Sequence, residues 1–263
     1  MKTAVIVCNG EFPKKEYPLY LLKSADLIIC CDGARNIRRL QRLGLQPALI
    51  VGDMDSTPPA LQAAFSDRLV GVSEQDDNDL AKAFSLLRER YPEVTDIHIL
   101  GAGGRNEAHT VGNLGWLMEW ERRSLEETGL GLAVRGVNVE MVSDYSTAFA
   151  VSPPPGEGRP GWVPDAVDSG TYDSGISAAG ISSSGGTCSA VPAANVVELY
   201  VGKGRKVSFF STDPDLRICS EGLRWPLDGV NLSRWWSATL NRASADKVIL
   251  RFSHAASLLV ILD

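Results

Sequence analysis

The chain has 263 residues, of which 44% are hydrophobic and 22% are charged, and its formal net charge is −6 at pH 7. These proportions are ordinary for a soluble globular protein and allow one large domain or two modest ones. The negative charge argues against nucleic acid or an anionic membrane as the main partner, but it does not exclude a small polyanion that arrives with Mg²⁺.

The apolar runs and the cysteines of the sequence predict the cellular compartment. The first apolar run, Ala4–Cys8, is too short for a signal-peptide core, and no run approaches membrane-spanning length. Five cysteines are present without a C-x-x-C pair, at Cys8, Cys30, Cys31, Cys188 and Cys219. Cys30 and Cys31 are adjacent on an apolar strand, so their side chains point to opposite faces. The pattern favours buried free thiols over disulfides or a metal site and predicts a cytoplasmic protein.

The first half alternates short apolar runs with amphipathic segments. This order favours a parallel sheet with helices on both faces and right-handed crossovers. The predicted strands are Ala4–Cys8, Leu27–Cys31, Ala48–Val51 and Ile97–Leu100. The predicted helices are Tyr17–Ser24, Ala34–Leu43, Pro58–Phe65, Asp79–Arg90 and Thr110–Arg123. In the last helix, helical spacing predicts a core stripe of Val111, Leu114, Leu117 and Met118.

The second half changes character, because apolar and polar residues alternate with a period of two. The alternating apolar sets are Val137, Val139 and Met141, then Val207 and Phe209, then Val248, Leu250 and Phe252. Such segments, separated by turn residues, predict an antiparallel sandwich or barrel. The predicted fold class is therefore α/β, with a doubly wound, mostly parallel sheet domain at residues 1–130 and an antiparallel β-sandwich domain at residues 131–263. Residues 152–194, rich in Gly, Ser and Pro, are predicted to be an irregular insertion.

A motif with two carboxylates, Gly52-Asp53-Met54-Asp55-Ser56, follows the predicted strand Ala48–Val51. Ligands bind at the carboxyl edge of an open parallel sheet, and spaced oxygen ligands of this kind suit Mg²⁺ that carries phosphates. When the motif is taken alone, an Asx-turn with a helix cap explains the same residues equally well.

Two further clusters follow the same logic. Asp32-Gly33-Ala34-Arg35-Asn36 comes after the strand that ends at Cys31, and here a helix cap is the favoured interpretation. Gln75-Asp76-Asp77-Asn78-Asp79 precedes a helix in which Asp79 and Lys82 lie off the apolar stripe. Acidic residues in a first turn suit the helix dipole, but a lysine close to carboxylates can also hold a phosphate beside its metal.

A Gly-rich turn, Gly101-Ala102-Gly103-Gly104-Arg105, follows the strand Ile97–Leu100 and leads to His109 and Asn113 on one helix face. Glycines bring backbone N–H groups close to an anion, and the N-terminus of the next helix adds a favourable dipole. Residue 106 is Asn and no G-x-x-x-x-G-K-[ST] occurs, so the turn is neither a dinucleotide fingerprint nor a P-loop.

The second half offers aromatic residues at Trp225 and at Trp235-Trp236, followed by Thr239-Leu240-Asn241. Paired tryptophans are more often packing residues than ligand platforms. An aromatic face near a carboxylate-rich cleft nevertheless suits a flat cationic ring, through stacking and cation–π attraction.

In this order, the clusters resemble those of the thiamine pyrophosphokinase family over nearly the whole chain. The family's GDxDS motif is complete in Gly52–Ser56, and its QDxxDxxKA motif is close to complete in Gln75–Ala83. The segment Asp32–Asn36 keeps the Asp, the first Gly and the Asn of DGGAN. Gly222–Leu227 and Trp235–Asn241 resemble segments of the family's terminal β domain.

The resemblance implies a reaction and an assembly. ATP would give its pyrophosphoryl group to the hydroxyethyl oxygen of thiamine, with thiamine diphosphate and AMP as products. An α/β domain would bind ATP, a β-sandwich domain would bind thiamine, and the thiamine sites of a homodimer would involve both subunits. Attack on a phosphorus of this kind needs charge neutralisation more than covalent help.

The resemblance also assigns roles to matching positions. Mg²⁺ would be surrounded by Asp53, Asp55 and Asp79, with Asp76 as a fourth candidate, while Lys82 would steady the phosphates. Asp55 or Asp79 would orient the alcohol or accept its proton. The nucleotide side would be lined by Asp32, Asn36, His109 and Asn113, with Arg105 as a further candidate. The thiazolium cation would lie against Trp236, Thr239 and Asn241.

The Gly-rich turn departs from the family's Gly-Arg-x-Asp-His continuation at two positions. The Arg position holds Asn106 with Arg105 beside it, and the Asp position holds Ala108 with Glu107 beside it. Adjacent side chains leave a helix about 100° apart, so substitution by a neighbour requires local rearrangement.

Two alternative functions fit parts of the sequence. Asp53-Met54-Asp55-Ser56-Thr57 also spells the D-x-D-x-T of haloacid dehalogenase-type phosphohydrolases, in which Asp53 would be a nucleophile. The position of the motif after the third strand and the β-rich tail argue against this function. The second alternative is a thiamine- or nucleotide-binding protein with decayed chemistry, motivated by Asn106 and Ala108, although the metal carboxylates are intact.

Overall fold

The computed structural model describes residues 2–31, 33–54, 57–72, 76–129, 136–154 and 195–263. Most of the predicted insertion lies outside these residues. In chain order the described elements are β1 (Lys2–Val7), α1 (Glu16–Ser24), β2 (Leu27–Cys31), α2 (Ala34–Arg42), β3 (Leu49–Gly52), α3 (Pro59–Ala64), β4 (Leu69–Gly71), α4 (Asp79–Arg90), β5 (Val94–Leu100), α5 (Glu107–Thr128), β6 (Asn138–Val142), β7 (Thr147–Val151), β8 (Val196–Tyr200), β9 (Lys206–Phe210), β10 (Ile218–Glu221), β11 (Asn241–Arg242), β12 (Lys247–Phe252) and β13 (Leu258–Leu262).

Both halves of the chain contribute to one ten-stranded sheet, in the order β11-β9-β13-β7-β6-β5-β1-β2-β3-β4. The strands from β6 to β4 in this order pair in parallel, and those from β6 to β11 pair antiparallel. The chain passes from β1 to β2, β3 and β4 on one side and then returns to β5 on the other side of β1. The topological switch point therefore lies between β1 and β5, and ligands of such sheets bind outside the carboxyl ends of the strands there.

The parallel strands are buried on both faces, as the predicted doubly wound arrangement requires. Along β1, Ala4 and Ile6 pack into one core with α4 and α5, whereas Val5 and Val7 pack into another with α1 and α2. Cys30 and Cys31 divide between the same two cores, which confirms that they face opposite sides of the sheet.

The β-rich second half is a sandwich. A second sheet, β10-β12-β8, is antiparallel and packs on the antiparallel end of the large sheet. The core between the sheets contains Val248, Leu250 and Phe252 of β12 together with Val207 and Phe209 of β9. These residues alternate along their strands, so the predicted period of two is confirmed.

Some details differ from the sequence-based predictions. The short edge strand β4 and the continuous apolar strand β13 were not predicted, and Val111 is 53% exposed although helical spacing placed it in the core. Three cysteines are buried and free, but Cys219 forms a disulfide, so the expectation of free thiols is wrong there. No helix in the described ranges is long and apolar enough to cross a membrane.

Candidate active site

A cleft of about 590 Å³ lies at the switch point of the sheet. Its walls are the segment after β1 (Cys8–Gly10), the Gly-rich turn after β5, the N-termini of α4 and α5, and Asp53 after β3. These segments are far apart in the sequence but meet because they all follow the carboxyl ends of neighbouring strands.

The carbonyl groups of the Gly-rich turn attach it to the loop after β1. Gly10 N–H donates to Gly101 O at 2.8 Å, and Glu11 N–H donates to Gly103 O at 2.7 Å. A side chain at Gly10 is excluded, since a Cβ there would lie 2.3 Å from Gly101 O. Within the described part of the chain, no acceptor is bonded to the backbone N–H groups of residues 102–104. Of these residues, Ala102 and Gly103 line the cleft, so their N–H groups are available to an anion there.

Asn113 holds the Gly-rich turn against the N-terminus of α4. Its side-chain amide donates to Ala102 O at 2.7 Å, and its oxygen accepts a 3.1 Å hydrogen bond from the Asn78 amide. Asn78 in turn caps α4 by accepting from Ala81 N–H at 2.9 Å. Asn113 lines the cleft as predicted but acts as a brace, because both ends of its amide are engaged. Asn78 was not singled out from the sequence, although an Asn just before the first helical residue is an N-cap signal.

Two of the predicted carboxylates converge on the cleft. Asp53 is exposed and Asp79 is partly buried at the first position of α4, and both line the cleft. Asp76 is exposed and is not among the lining residues. Asp32 and Asp55 lie outside the described residues, so their predicted roles stay predictions.

The donor set fits Mg²⁺. Within the described residues there is no group of three or more His, Cys, Asp or Glu side chains that could hold a metal ion. Mg²⁺, however, is usually bound by one or two carboxylates together with water and substrate phosphates. Asp53 and Asp79 supply those hard oxygen ligands on one cleft beside the N–H donors of the Gly-rich turn.

Two predicted site residues are buried away from the cleft surface. Lys82 is 8% exposed, so the prediction that it lies off the buried stripe of α4 is wrong. The reason is that α4 packs against β1, β2 and β3 of the sheet, and its Phe84 also contacts Trp116 and Trp120 of α5, so the helix is covered on more than one side. Asn36 is fully buried, and its amide donates to Cys8 O at 2.6 Å, so it fixes the end of β1. Neither residue is among those that line the cleft.

The residue at the family's arginine position has a structural task. Asn106 caps α5, because its side-chain oxygen accepts from His109 N–H at 3.2 Å and its carbonyl accepts from the Thr110 hydroxyl at 2.9 Å. Arg105 is exposed at the cleft, and its guanidinium donates to Asn9 O at 2.9 Å. His109 is exposed and lines the same cleft. Arg105 therefore places a cation where the sequence predicted a nucleotide contact.

The predicted thiamine-side residues do not line this cleft. Trp236 is 77% exposed, and Thr239 is also exposed. The neighbouring Trp235 is anchored, since its indole N–H donates to Ser211 O at 3.1 Å and its ring meets Phe210 edge-on. One tryptophan of the pair packs and the other points outward.

Asn241 is only 4% exposed and holds the backbone of Trp225. Its amide donates to Trp225 O at 2.7 Å, and its oxygen accepts from Trp225 N–H at 3.3 Å and from Arg242 N–H at 2.8 Å. Both ends of the Asn241 amide are therefore engaged by the backbone, and its predicted contact with thiamine stays a prediction. Its evident role is to position Trp225, which is 52% exposed.

The fold and the cleft define a class of protein. A parallel sheet with carboxylates, a Gly-rich turn and two helix N-termini at its switch point is typical of α/β proteins that bind phosphate-bearing ligands. In this chain the sheet continues into a β-sandwich with outward-facing aromatic residues.

The particular family follows from two family models. Residues 19–127 match "Thiamin pyrophosphokinase, catalytic domain", and residues 189–260 match "Thiamin pyrophosphokinase, substrate-binding domain". Together the matches span more than half of the chain. The chain therefore belongs to the thiamine pyrophosphokinase family, an identification that makes it an ATP-dependent thiamine diphosphokinase.

Solved structures share the fold. A protein from Lactobacillus plantarum aligns with a TM-score of 0.65 at 16% identity, covering 100% of this chain and 99% of that one. Thiamine pyrophosphokinase from Bacillus subtilis aligns with a TM-score of 0.63 at 17% identity, with 100% and 99% coverage. The yeast thiamin pyrophosphokinase gives 0.65 at 14% identity, with 100% and 86% coverage. Comparison with curated proteins by sequence gives no match. Nothing supports the phosphohydrolase alternative.

Proposed function

We propose that this chain transfers the pyrophosphoryl group of ATP to the hydroxyethyl oxygen of thiamine in the switch-point cleft, with AMP and thiamine diphosphate as products. The observation that carries the proposal is the convergence of Asp53, Asp79 and the Gly-rich turn on one cleft. Negative phosphates, a divalent cation and backbone N–H donors are complementary in such a site.

Each group in the cleft has a task in this proposal. Asp53 and Asp79, with Asp55 as third ligand and Asp76 as a further candidate, hold Mg²⁺, which when bound neutralises charge on the phosphates. The N–H groups of the Gly-rich turn bind phosphate oxygens, while Arg105 and His109 contact the nucleotide. Asp55 or Asp79 orients the alcohol or accepts its proton. Asp32 on the nucleotide side and Lys82 near the phosphates stay predictions.

Thiamine is proposed to bind across a homodimer. Trp236 and Thr239 are exposed and do not line the cleft of their own chain, so a second copy that lays them over its partner's cleft would complete the site. The thiazolium ring carries a positive charge, which the face of a tryptophan attracts. The division into domains at residues 1–130 and 131–263 and a cytoplasmic location belong to the same proposal.

The direct test is product formation from ATP, Mg²⁺ and thiamine. Equal amounts of AMP and thiamine diphosphate are expected, and a chelator should abolish both. ATP and thiamine binding by calorimetry without either product, at high enzyme concentration, would identify the catalytically decayed homologue instead. Release of phosphate from a simple phosphomonoester without AMP would identify the phosphohydrolase.

Mixing two impaired variants tests the shared site, in an assay at a thiamine concentration well below the KM of Trp236→Ala. In a homodimer, a mixed pair of Asp53→Ala and Trp236→Ala subunits has one site with both substitutions and one with neither. Random mixing should therefore restore about a quarter of the wild-type sites. Absence of recovery in dimers shown to have exchanged subunits would mean that each site belongs to one chain. Mixing Asp53→Ala with Asp79→Ala is the matched control, because both changes affect the same half and no intact site forms.

A further inference from the structure

Helix α2 presents a row of arginines beside the switch-point cleft. The row begins at Arg35 and continues with the residues three, four and seven positions further on, which are Arg38, Arg39 and Arg42. This spacing places all four on one side of the helix. Together with Arg105 and Asn9 they line a second cleft of about 550 Å³. Five guanidinium groups thus share one concave surface, which we call the arginine cleft.

Among the residues that the structure describes, no carboxylate balances the charge of the arginine cleft. Across the described ranges, no carboxylate lies within ion-pairing distance of these five arginines. Burial, and next the charges of Arg35, Arg105 and Arg42, lower the pKa of Arg39 against an opposing effect of Glu11. Glu11 itself is paired with Lys14 at 2.7 Å. In a chain with a net charge of −6, such a cluster creates a local positive field that attracts anions.

Two of the five guanidinium groups are held in place. The Arg39 guanidinium lies 5.2 Å from the centre of the Phe12 ring, and Arg105 donates to Asn9 O at 2.9 Å. A fixed guanidinium loses less side-chain entropy when it binds a ligand. The arginine cleft is therefore partly organised before an anion arrives.

The arginine cleft adjoins the switch-point cleft, because Asn9 and Arg105 line both. Since α2 begins at the carboxyl edge of the sheet and connects the parallel strands β2 and β3, the row starts beside the switch-point cleft and runs along the helix towards the opposite edge of the sheet. Seven residues separate Arg35 from Arg42, a rise of about 10 Å along the helix. Guanidinium forks match phosphate oxygens in pairs, so several forks in a row suit linked phosphates better than a single one.

We propose that the arginine cleft is a second anion site, which binds a di- or triphosphate group beside the metal carboxylates. Its ligand is either the phosphate chain of a nucleotide in the neighbouring cleft or that of a separate phosphorylated molecule; both share the same recognition chemistry. The site goes beyond the proposed function, because anion binding there requires neither thiamine nor turnover.

Calorimetric titration with inorganic tripolyphosphate tests the site in the full chain. Arg38→Gln with Arg42→Gln should weaken binding by about tenfold or more, since hydrogen bonds to charged groups are strong and two are lost. Arg38→Lys with Arg42→Lys should give an intermediate affinity, because charge remains without the fork. Arg90→Gln with Arg234→Gln, which removes two exposed arginines elsewhere, is the matched control. Equal affinity of the wild type and the Arg38/Arg42 glutamine variant, with equal melting temperatures, would overturn the proposal.

Further titrations distinguish the two sources of the anion. If the arginine cleft holds the tail of the cleft-bound nucleotide, the glutamine variant loses affinity for ATP but not for AMP, and tripolyphosphate competes with ATP. If it holds a separate molecule, tripolyphosphate binds the ATP-loaded protein with unchanged affinity. Both outcomes support an anion site and neither depends on catalysis, so loss of pyrophosphoryl transfer leaves the test intact. Tighter binding of single-stranded RNA than of tripolyphosphate, lost in the same variant, would overturn the proposed ligand class.

Discussion

The two halves of the chain place their chemically active side chains in opposite ways. In the parallel half, Asp53, Asp79 and His109 come from distant segments and line one cleft. In the sandwich half, Trp236 and Thr239 project outward, whereas Asn241 is buried and its side chain forms hydrogen bonds with the backbone.

The difference follows from topology. Parallel strands all end at one edge, so the loops that follow them meet at the switch point without help from another molecule. An antiparallel sandwich uses its inward residues for the core between the sheets, and its remaining aromatic residues face away from that core. The first arrangement makes a cleft within one chain. The second makes an outward-facing aromatic surface.

The largest expected effect on activity comes from substitution of a cleft carboxylate. Asp53→Ala should lower kcat by about a thousandfold, since charge stabilisation at the transferring phosphates is lost. The fold should remain, because Asp53 is exposed. AMP formation and the melting temperature measure the two effects. Asp67→Ala, an exposed carboxylate outside the cleft, is the control and should keep full activity. If both variants are equally active, the assignment of the cleft as catalytic fails.

The next effect concerns the outward-facing aromatic residue. Trp236→Ala should raise KM for thiamine roughly tenfold, the order expected for loss of a desolvated cation–π contact, while KM for ATP stays unchanged. Tyr200→Ala is a matched control, because Tyr200 is 78% exposed and Trp236 is 77% exposed. A change in KM for ATP alone would assign Trp236 to the nucleotide side and remove the contrast between the halves.

Two buried asparagines sharpen the comparison, since each braces one half. Asn113→Ala leaves the Ala102 carbonyl and the Asn78 amide without partners, and Asn241→Ala does the same to the backbone of Trp225. Each should lower the free energy of unfolding in urea by about 1–3 kcal/mol. Asn113→Ala should also raise KM for ATP a few-fold, and Asn241→Ala should raise KM for thiamine.

The exposed Asn138, bonded to Asp96 at 3.0 Å, provides the control for both asparagines. Asn138→Ala should change stability by less than about 0.5 kcal/mol. If Asn113→Ala and Asn241→Ala raise the same KM, the two braces do not serve separate sites.

Much of the parallel half could be predicted from the sequence because its signals are local. The apolar runs occur within a few residues, and the helix Asp79–Arg90 has its predicted bounds. The Asn caps of α4 and α5 were not recognised, although they are equally local. The motif order also placed Asp53 and Asp79 at one edge of the sheet. Burial of Lys82 was missed, because it depends on the sheet and on α5, both of which pack against α4.

The sandwich half was harder to predict in detail. The continuous apolar run of β13 serves two cores, with Leu258 and Val260 on one face and Leu259 on the other. Nothing in a run of five apolar residues shows this division, because it depends on the pairing of β13 with β7 and β9. The motif that contains Asn241 likewise does not reveal that the Asn241 side chain forms hydrogen bonds with the backbone of Trp225.

The smallest expected effect tests whether the two halves unfold together. Helix α5 joins them, since Leu117 and Met118 share a core with Leu259 of β13. On its exposed face, hydrogen bonds from Arg122 and then Arg123, partly opposed by burial, lower the pKa of Glu119 to about 2. A carboxyl whose folded pKa lies below its unfolded value stabilises the protein above pH 4.5, and this contribution is lost as the pH falls from 4.5 towards 2.

Glu119→Gln should therefore lower the free energy of unfolding at pH 7 by less than about 1 kcal/mol, because an exposed ion pair contributes little. The difference from the wild type should shrink between pH 4.5 and pH 3, and Glu127→Gln, also exposed on α5, should show no such trend. Urea unfolding followed by tryptophan fluorescence and by far-UV circular dichroism measures both. Coincident shifts of the two probes are expected if α5 couples the halves. A shift in one probe alone would show that the parallel half and the sandwich half unfold separately.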